Sequence, residues 1–160
     1  MTTSKLWILL STILAISISA CNAAAQTSRA KSNANAQATA ALRAIDACEA
    51  NLEADLSHAG KDDFQEVIKN SSYKTKLLQA HNAVDKVSDP DLHRDLNILL
   101  MDVEYGVSNA GIGAIIDRKD TGLKKAEDQY HSDRDLVATE ITTGKPGLLR
   151  DAVLKRSQKK

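Results

Sequence analysis

From Thr39 to the C-terminus the apolar residues recur three and four positions apart, and no run alternates with the two-residue period of a half-buried strand. That spacing restricts the chain to helices packed on helices. A first helix is predicted over Thr39 to Ala59, with Leu42, Ile45, Cys48, Leu52 and Leu56 on one stripe and Gly60 as its stop. A second starts at Asp62 or Asp63 with Phe64, Val67 and Ile68, breaks at Asn70 to Ser72, and resumes with Tyr73, Leu77, Ala80, Val84 and Val87. The sharpest boundary is Ser88-Asp89-Pro90: an Asp side chain can accept from free N–H groups at a helix start, and Pro loses nothing in a first turn. The third helix carries Leu92, Leu96, Leu99, Leu100, Val103 and Val107. Gly111 and Gly113 weaken it by about 1 kcal/mol each, so a kink or end is expected there; if the helix persists, they admit a close neighbour. A fourth runs from about Thr121 with Leu123, Ala126, Tyr130 and Val137 in phase. Thr142 to Gly147 turns into a short last helix with Leu148, Leu149, Ala152 and Val153. The expected architecture is all-α, a small bundle of about four to five helices spanning residues 39–156, followed by a basic tail at 157–160.

The N-terminus follows a different grammar. Lys5 precedes an apolar run from Leu6 to Ile18, and small residues follow, the layout of a secretory signal. The run closes on Ile18-Ser19-Ala20-Cys21, which resembles the lipobox of bacterial lipoproteins. The resemblance covers roughly the first 22 residues and says nothing of the rest. It implies that residues 1–20 are a cleaved signal peptide, and that the Cys21 thiol takes a diacylglyceryl group and becomes the first residue of the mature chain, acylated with palmitate-type chains. Two or three such chains hold a protein stably on a membrane, where a single one holds it marginally. Asn22, in place of the Asp that favours inner-membrane retention in enterobacterial members, implies an outer-membrane anchor facing the periplasm. Two other readings fit the same residues: ordinary cleavage after Ala25, which would release a soluble periplasmic protein, and an uncleaved span over Leu6 to Ala25, which Ser11, Thr12, Ser17, Ser19 and Asn22 make less apolar.

Residues 22–40 are rich in Ala, Asn, Ser, Gln and Thr and carry no large apolar side chain. They can bury little, so residues 21–38 are expected to form a lipidated flexible tether of about 20 to 25 Å, with its second half a fraying helix. The remaining length suits one domain. Cys21 and Cys48 are the two cysteines; a thioether at Cys21 leaves Cys48 with no partner in the chain, so Cys48 is expected as a small buried hydrophobe or, alternatively, as an intermolecular bridge or a reactive thiol.

Lys plus Arg equals Asp plus Glu at 21 each, which removes a global pull on nucleic acid. Aromatic residues make up only 3% of the chain, too few for a site built on stacked rings. Charge is segregated, however. Seven acids lie between Asp46 and Glu66 against Lys61, and six bases between Lys145 and Lys160 against Asp151. The two faces are expected to attract each other partly in the fold. The functional alternative assigns Arg150, Lys155, Arg156, Lys159 and Lys160 to contact with an anionic surface.

Catalytic motifs are weak. Gly111-Ile112-Gly113 lacks a third glycine at Ile116 and a preceding strand. His58, His81, His93 and His131 include no pair at i, i+4. Asp89, Asp91 and Asp95 lack the glycine and the bidentate Glu of a calcium loop, so capping and solvation account for them better. His131, Asp133 and Asp135 would fan over different faces of a helix and could meet a metal only in a loop. These readings lead to a non-catalytic protein-binding or envelope accessory factor, with no cofactor, no metal, no nucleic acid, and an envelope protein as partner. An immunity or exclusion lipoprotein that neutralises a toxin or transfer system is the alternative, its acidic first helix suiting a basic effector; a cell-wall or lipid-acting enzyme is a third.

Overall fold

The computed structural model describes the backbone of residues 3–58, 72–117 and 122–159, with side chains over 26–56, 72–113 and 122–159. It is all-α among the described residues. In chain order the elements are α1 (Thr3–His58), α2 (Ser72–Val84), α3 (Pro90–Met101), a π-helical segment (Asp102–Val107), α4 (Ser108–Asp117), α5 (Leu123–Thr143) and α6 (Leu148–Ser157). Two compact units divide the chain, residues 1–34 and 35–160. The first consists, where described, of helical backbone with residues 26–33 exposed.

Helix α1 thus includes the first half of the tether, expected as coil, as well as its second half, expected as a fraying helix. Their composition favours this locally, because Ala, Gln, Lys and Arg are good helix formers even where they have nothing to bury. The bundle also begins earlier than Thr39. Ala38 is fully buried in the core, and Asn35 donates from Nδ2 to the Ile141 carbonyl of α5 at 3.1 Å. The expected helix around Phe64, Val67 and Ile68 lies outside the described residues, as does Gly60.

The core of the second unit is built from the stripes that the periodicity marks. Ala41, Ile45 and Cys48 of α1 meet Ala80 and Val84 of α2, Leu96, Leu99 and Leu100 of α3, Val103 and Val107 of the π segment, Tyr130 and Val137 of α5 and Leu149 of α6. Each buried Val, Leu or Ile contributes about 1.5 to 3 kcal/mol through removal from water. The boundary before α3 forms as expected: Asp89 Oδ1 accepts from the amides of Asp91 and Leu92, both at 3.0 Å, and Pro90 opens the helix. Gln37 Oε1 fixes the approach to this cap by accepting from Ser88 N at 3.1 Å and Ser88 Oγ at 2.9 Å.

The irregularity in the long middle helix does not fall at Gly111 and Gly113. It falls earlier, at Asp102–Val107, where the backbone widens to π geometry around Gly106, and α4 then continues through both later glycines. Gly111 instead serves close packing: Leu56 of α1 lies where a Cβ would stand. Helix α5 stops at Gly144 (φ 66°), and α6 starts after Gly147 (φ 88°), two left-handed positions that turn the chain back within a few residues.

Candidate functional site

The residue at the centre of the lipobox, Cys21, lies among those whose side chains are not described. Among the described residues no helix is long and apolar enough to cross a membrane. The basic C-terminal set is divided by the fold. Lys155 and Lys159 are exposed, and Lys160 lies outside the described residues. Arg150 folds onto Asp151 at 2.9 Å. Arg156 is committed inward, its Nη1 and Nη2 donating to the two oxygens of Asp133 at 2.8 and 2.7 Å. Among the described residues no ion pair joins the acids of α1 to this tail. Asp46 turns to α5, accepting from Tyr130 Oη at 2.9 Å and, as a bidentate pair, from Arg134 Nε at 3.0 Å and Nη2 at 2.9 Å.

His131, Asp133 and Asp135 stand on α5 and do fan apart. Asp133 is 1% exposed and bound by Arg156, His131 lies against the Tyr130 ring at 5.3 Å, and Asp135 points to solvent. Among the described residues no group of three or more potential metal ligands converges. Cys48 is fully buried, and burial, with help from Glu104 and Glu49, pushes its thiol up to about 12. It is an inert, protonated side chain at physiological pH.

The most unusual polar structure lies between α3 and α5, where the sequence alone suggests only surface acids. Asp95, expected to be solvated, is 0% exposed and meets Glu140, which is 1% exposed. One heptad along, Asp102 of the π segment meets the buried Asp133. The spacing is antiparallel and regular: Asp95 and Asp102 are seven residues apart on one side, and Asp133 and Glu140 seven apart on the other. Each pair also carries an arginine. Arg94 donates from Nε to Asp95 Oδ1 at 3.0 Å, and Arg156 binds Asp133.

The remaining carboxyl of each pair has no arginine of its own. Burial pushes Glu140 up to about 7, with Asp95 adding to the shift and the amides of Leu149 and Gly147 opposing it. Burial likewise raises Asp102 to about 7, with Asp133 adding and Arg156 opposing. The atoms agree with one proton per pair. Asp95 Oδ2, Glu140 Oε2 and Asp102 Oδ2 are buried with no N–H or hydroxyl donor, a costly state for two anions and a satisfied one if a carboxyl O–H donates to the facing carboxylate. Glu140 also caps α6 from a distance, its Oε1 accepting from Leu149 N at 2.8 Å.

On the surface, an open depression of about 410 Å³ lies between α1 and α2, lined by Gln37, Ala40, Gln79, Asn82, Ala83 and Lys86. Met101 and Tyr105, each 55% exposed, project about one turn apart where α3 passes into the π segment. Leu78 of α2 and Leu154 of α6 are exposed as well. No protein-family model, curated protein or solved structure matches the chain.

Proposed function

We propose that this chain is a lipid-anchored helical lipoprotein, facing the periplasm from the outer membrane, that acts as a non-catalytic adaptor by binding another envelope protein. The observation that carries the reading is Ile18-Ser19-Ala20-Cys21 directly after the apolar run Leu6 to Ile18. The helical bundle is compatible with a folded module carried by such an anchor. A binding role draws support from Met101 and Tyr105, residue types enriched at the centres of protein interfaces, which stand in solvent beside a bundle whose other large apolar side chains are mostly covered.

Expression of the full chain in a Gram-negative host with a clickable palmitate analogue tests the anchor. Label should enter the protein, locate to the Cys21 peptide by mass spectrometry, and disappear in Cys21→Ala. An unmodified N-terminus beginning past Ala25 would overturn it. Photo-crosslinking from positions 101 and 105 in intact cells tests the binding role. A discrete adduct with one envelope protein supports it, and the absence of any adduct from both positions counts against it.

A further inference from the structure

We propose that the two carboxyl pairs, Asp95 with Glu140 and Asp102 with Asp133, are a proton-dependent latch that holds α5 and α6 together against α3 and the π segment and loosens as pH rises above neutrality. Three of the four side chains are at most 1% exposed, and the two contacts repeat one heptad apart along antiparallel helices. Asp95 Oδ2 and Glu140 Oε2 in one pair and Asp102 Oδ2 in the other are buried without an N–H or hydroxyl donor, and a proton shared within each pair satisfies them.

The surroundings decide which partner keeps the proton. Asp95 faces Arg94 from its own helix and Glu140 from α5; Glu140 faces Asp95 from α3 and the N–H groups of Gly147 and Leu149 at the start of α6. Asp102 faces Asp133 from α5 and Arg156 from α6; Asp133 faces Asp102 and is gripped by Arg156. From α1, Asp46 is taken up by Tyr130 and Arg134 on another face of α5. Burial raises the two carboxyls that lack an arginine of their own, so Glu140 and Asp102 hold the protons and donate across each pair. When solvent removes those two protons, each contact becomes a buried pair of like charges with no added cation.

The geometry also states which parts separate. Glu140 remains bonded to Leu149 N and Asp133 to Arg156, so α6 stays with α5, and the repulsion acts between that pair of helices and α3. Both donors are raised above the ordinary carboxylate range. Their contribution to stability is therefore complete below about pH 4 and is lost as pH climbs through about 7.

The test uses the full chain. Between about pH 5.5 and about pH 8.5 the wild-type Tm should fall by about 5 °C or more. Exchange of the Leu99 and Val137 amides, corrected for intrinsic rate, should accelerate about tenfold or more. Glu140→Gln with Asp102→Asn supplies neutral donors at every pH and should flatten both dependences. A flat wild-type profile, or a double variant that keeps the wild-type slope, would overturn the latch. Carbon-13 titration of the side-chain carboxyls in the unsubstituted protein stands independently of whether the variant folds. Glu140 and Asp102 still protonated near pH 6 support the proposal, and both ionised there sinks it.

Discussion

Arg156 of α6 grips both oxygens of Asp133 of α5, at 2.8 and 2.7 Å, and one end of that bridge is buried while the other is half open to solvent. The buried end sets the energetic consequence. Removing the guanidinium leaves the buried Asp133 side chain facing Asp102 without its arginine. Arg156→Ala should therefore destabilise the fold by about 2 to 4 kcal/mol, read as a lower urea midpoint. Arg156→Lys should recover only part of this, because an ammonium cannot make the two-pronged contact. A loss under about 0.5 kcal/mol for Arg156→Ala, the range of an ordinary surface change, would mean that the bridge is incidental.

Cys48 should be unreactive in the native state. Its full burial and a thiol pushed up to about 12 leave almost no thiolate at neutral pH. A thiol reagent should modify it only after denaturation, with Cys21→Ala used so that this is the one thiol present. Rapid modification of the folded protein would show that the site opens far more often than a packed core permits.

Gly111 lies where a Cβ would run into the Leu56 side chain. Gly111→Val should cost about 1 to 3 kcal/mol through overpacking between α1 and α4. Adding Leu56→Ala should return part of that loss, since the obstructing group is a side chain rather than backbone. Equal and additive penalties in the double-mutant cycle would remove the proposed contact.

The N-cap of α3 offers a smaller, cleaner test. Asp89→Ala deletes two hydrogen bonds at 3.0 Å to the amides of Asp91 and Leu92 and should cost about 1 kcal/mol, while Asp89→Asn should cost less. Thermal melts of the three proteins would order them wild type, Asn, Ala; an unchanged Ala variant would show that water serves the two amides equally well.

Much of the fold is legible in the sequence because its determinants are local. The Asp89-Pro90 boundary is chemistry within three residues, and the core stripe through Ile45, Cys48, Leu96, Leu99 and Val137 follows from helical phase alone. The π segment is not legible. Local propensity points to Gly111 and Gly113, while the widening at Asp102–Val107 coincides with the pairing of Asp102 to a residue on another helix. The helical backbone through residues 22–31 escapes a reading of small polar composition as coil, because the helix propensity of its alanines outweighs that signal. The buried acids are visible in phase but not in meaning. Leu92, Asp95, Leu99 and Asp102 keep a three-four spacing, as do Tyr130, Asp133, Val137 and Glu140, so all four acids fall in phase with the core stripe. Only the partner helix reveals that a carboxyl at such a position meets another carboxyl.

That shared spacing has a consequence for how the bundle chooses its own alignment. A slide of α5 by one turn along α3 would bring Leu136 or Gly144 opposite Asp95, and Gln129 or Val137 opposite Asp102, so that neither carboxyl pair could form. Leucines and valines tolerate such a slip, since one greasy contact replaces another. The acids do not, and they act as a two-toothed key that admits a single register.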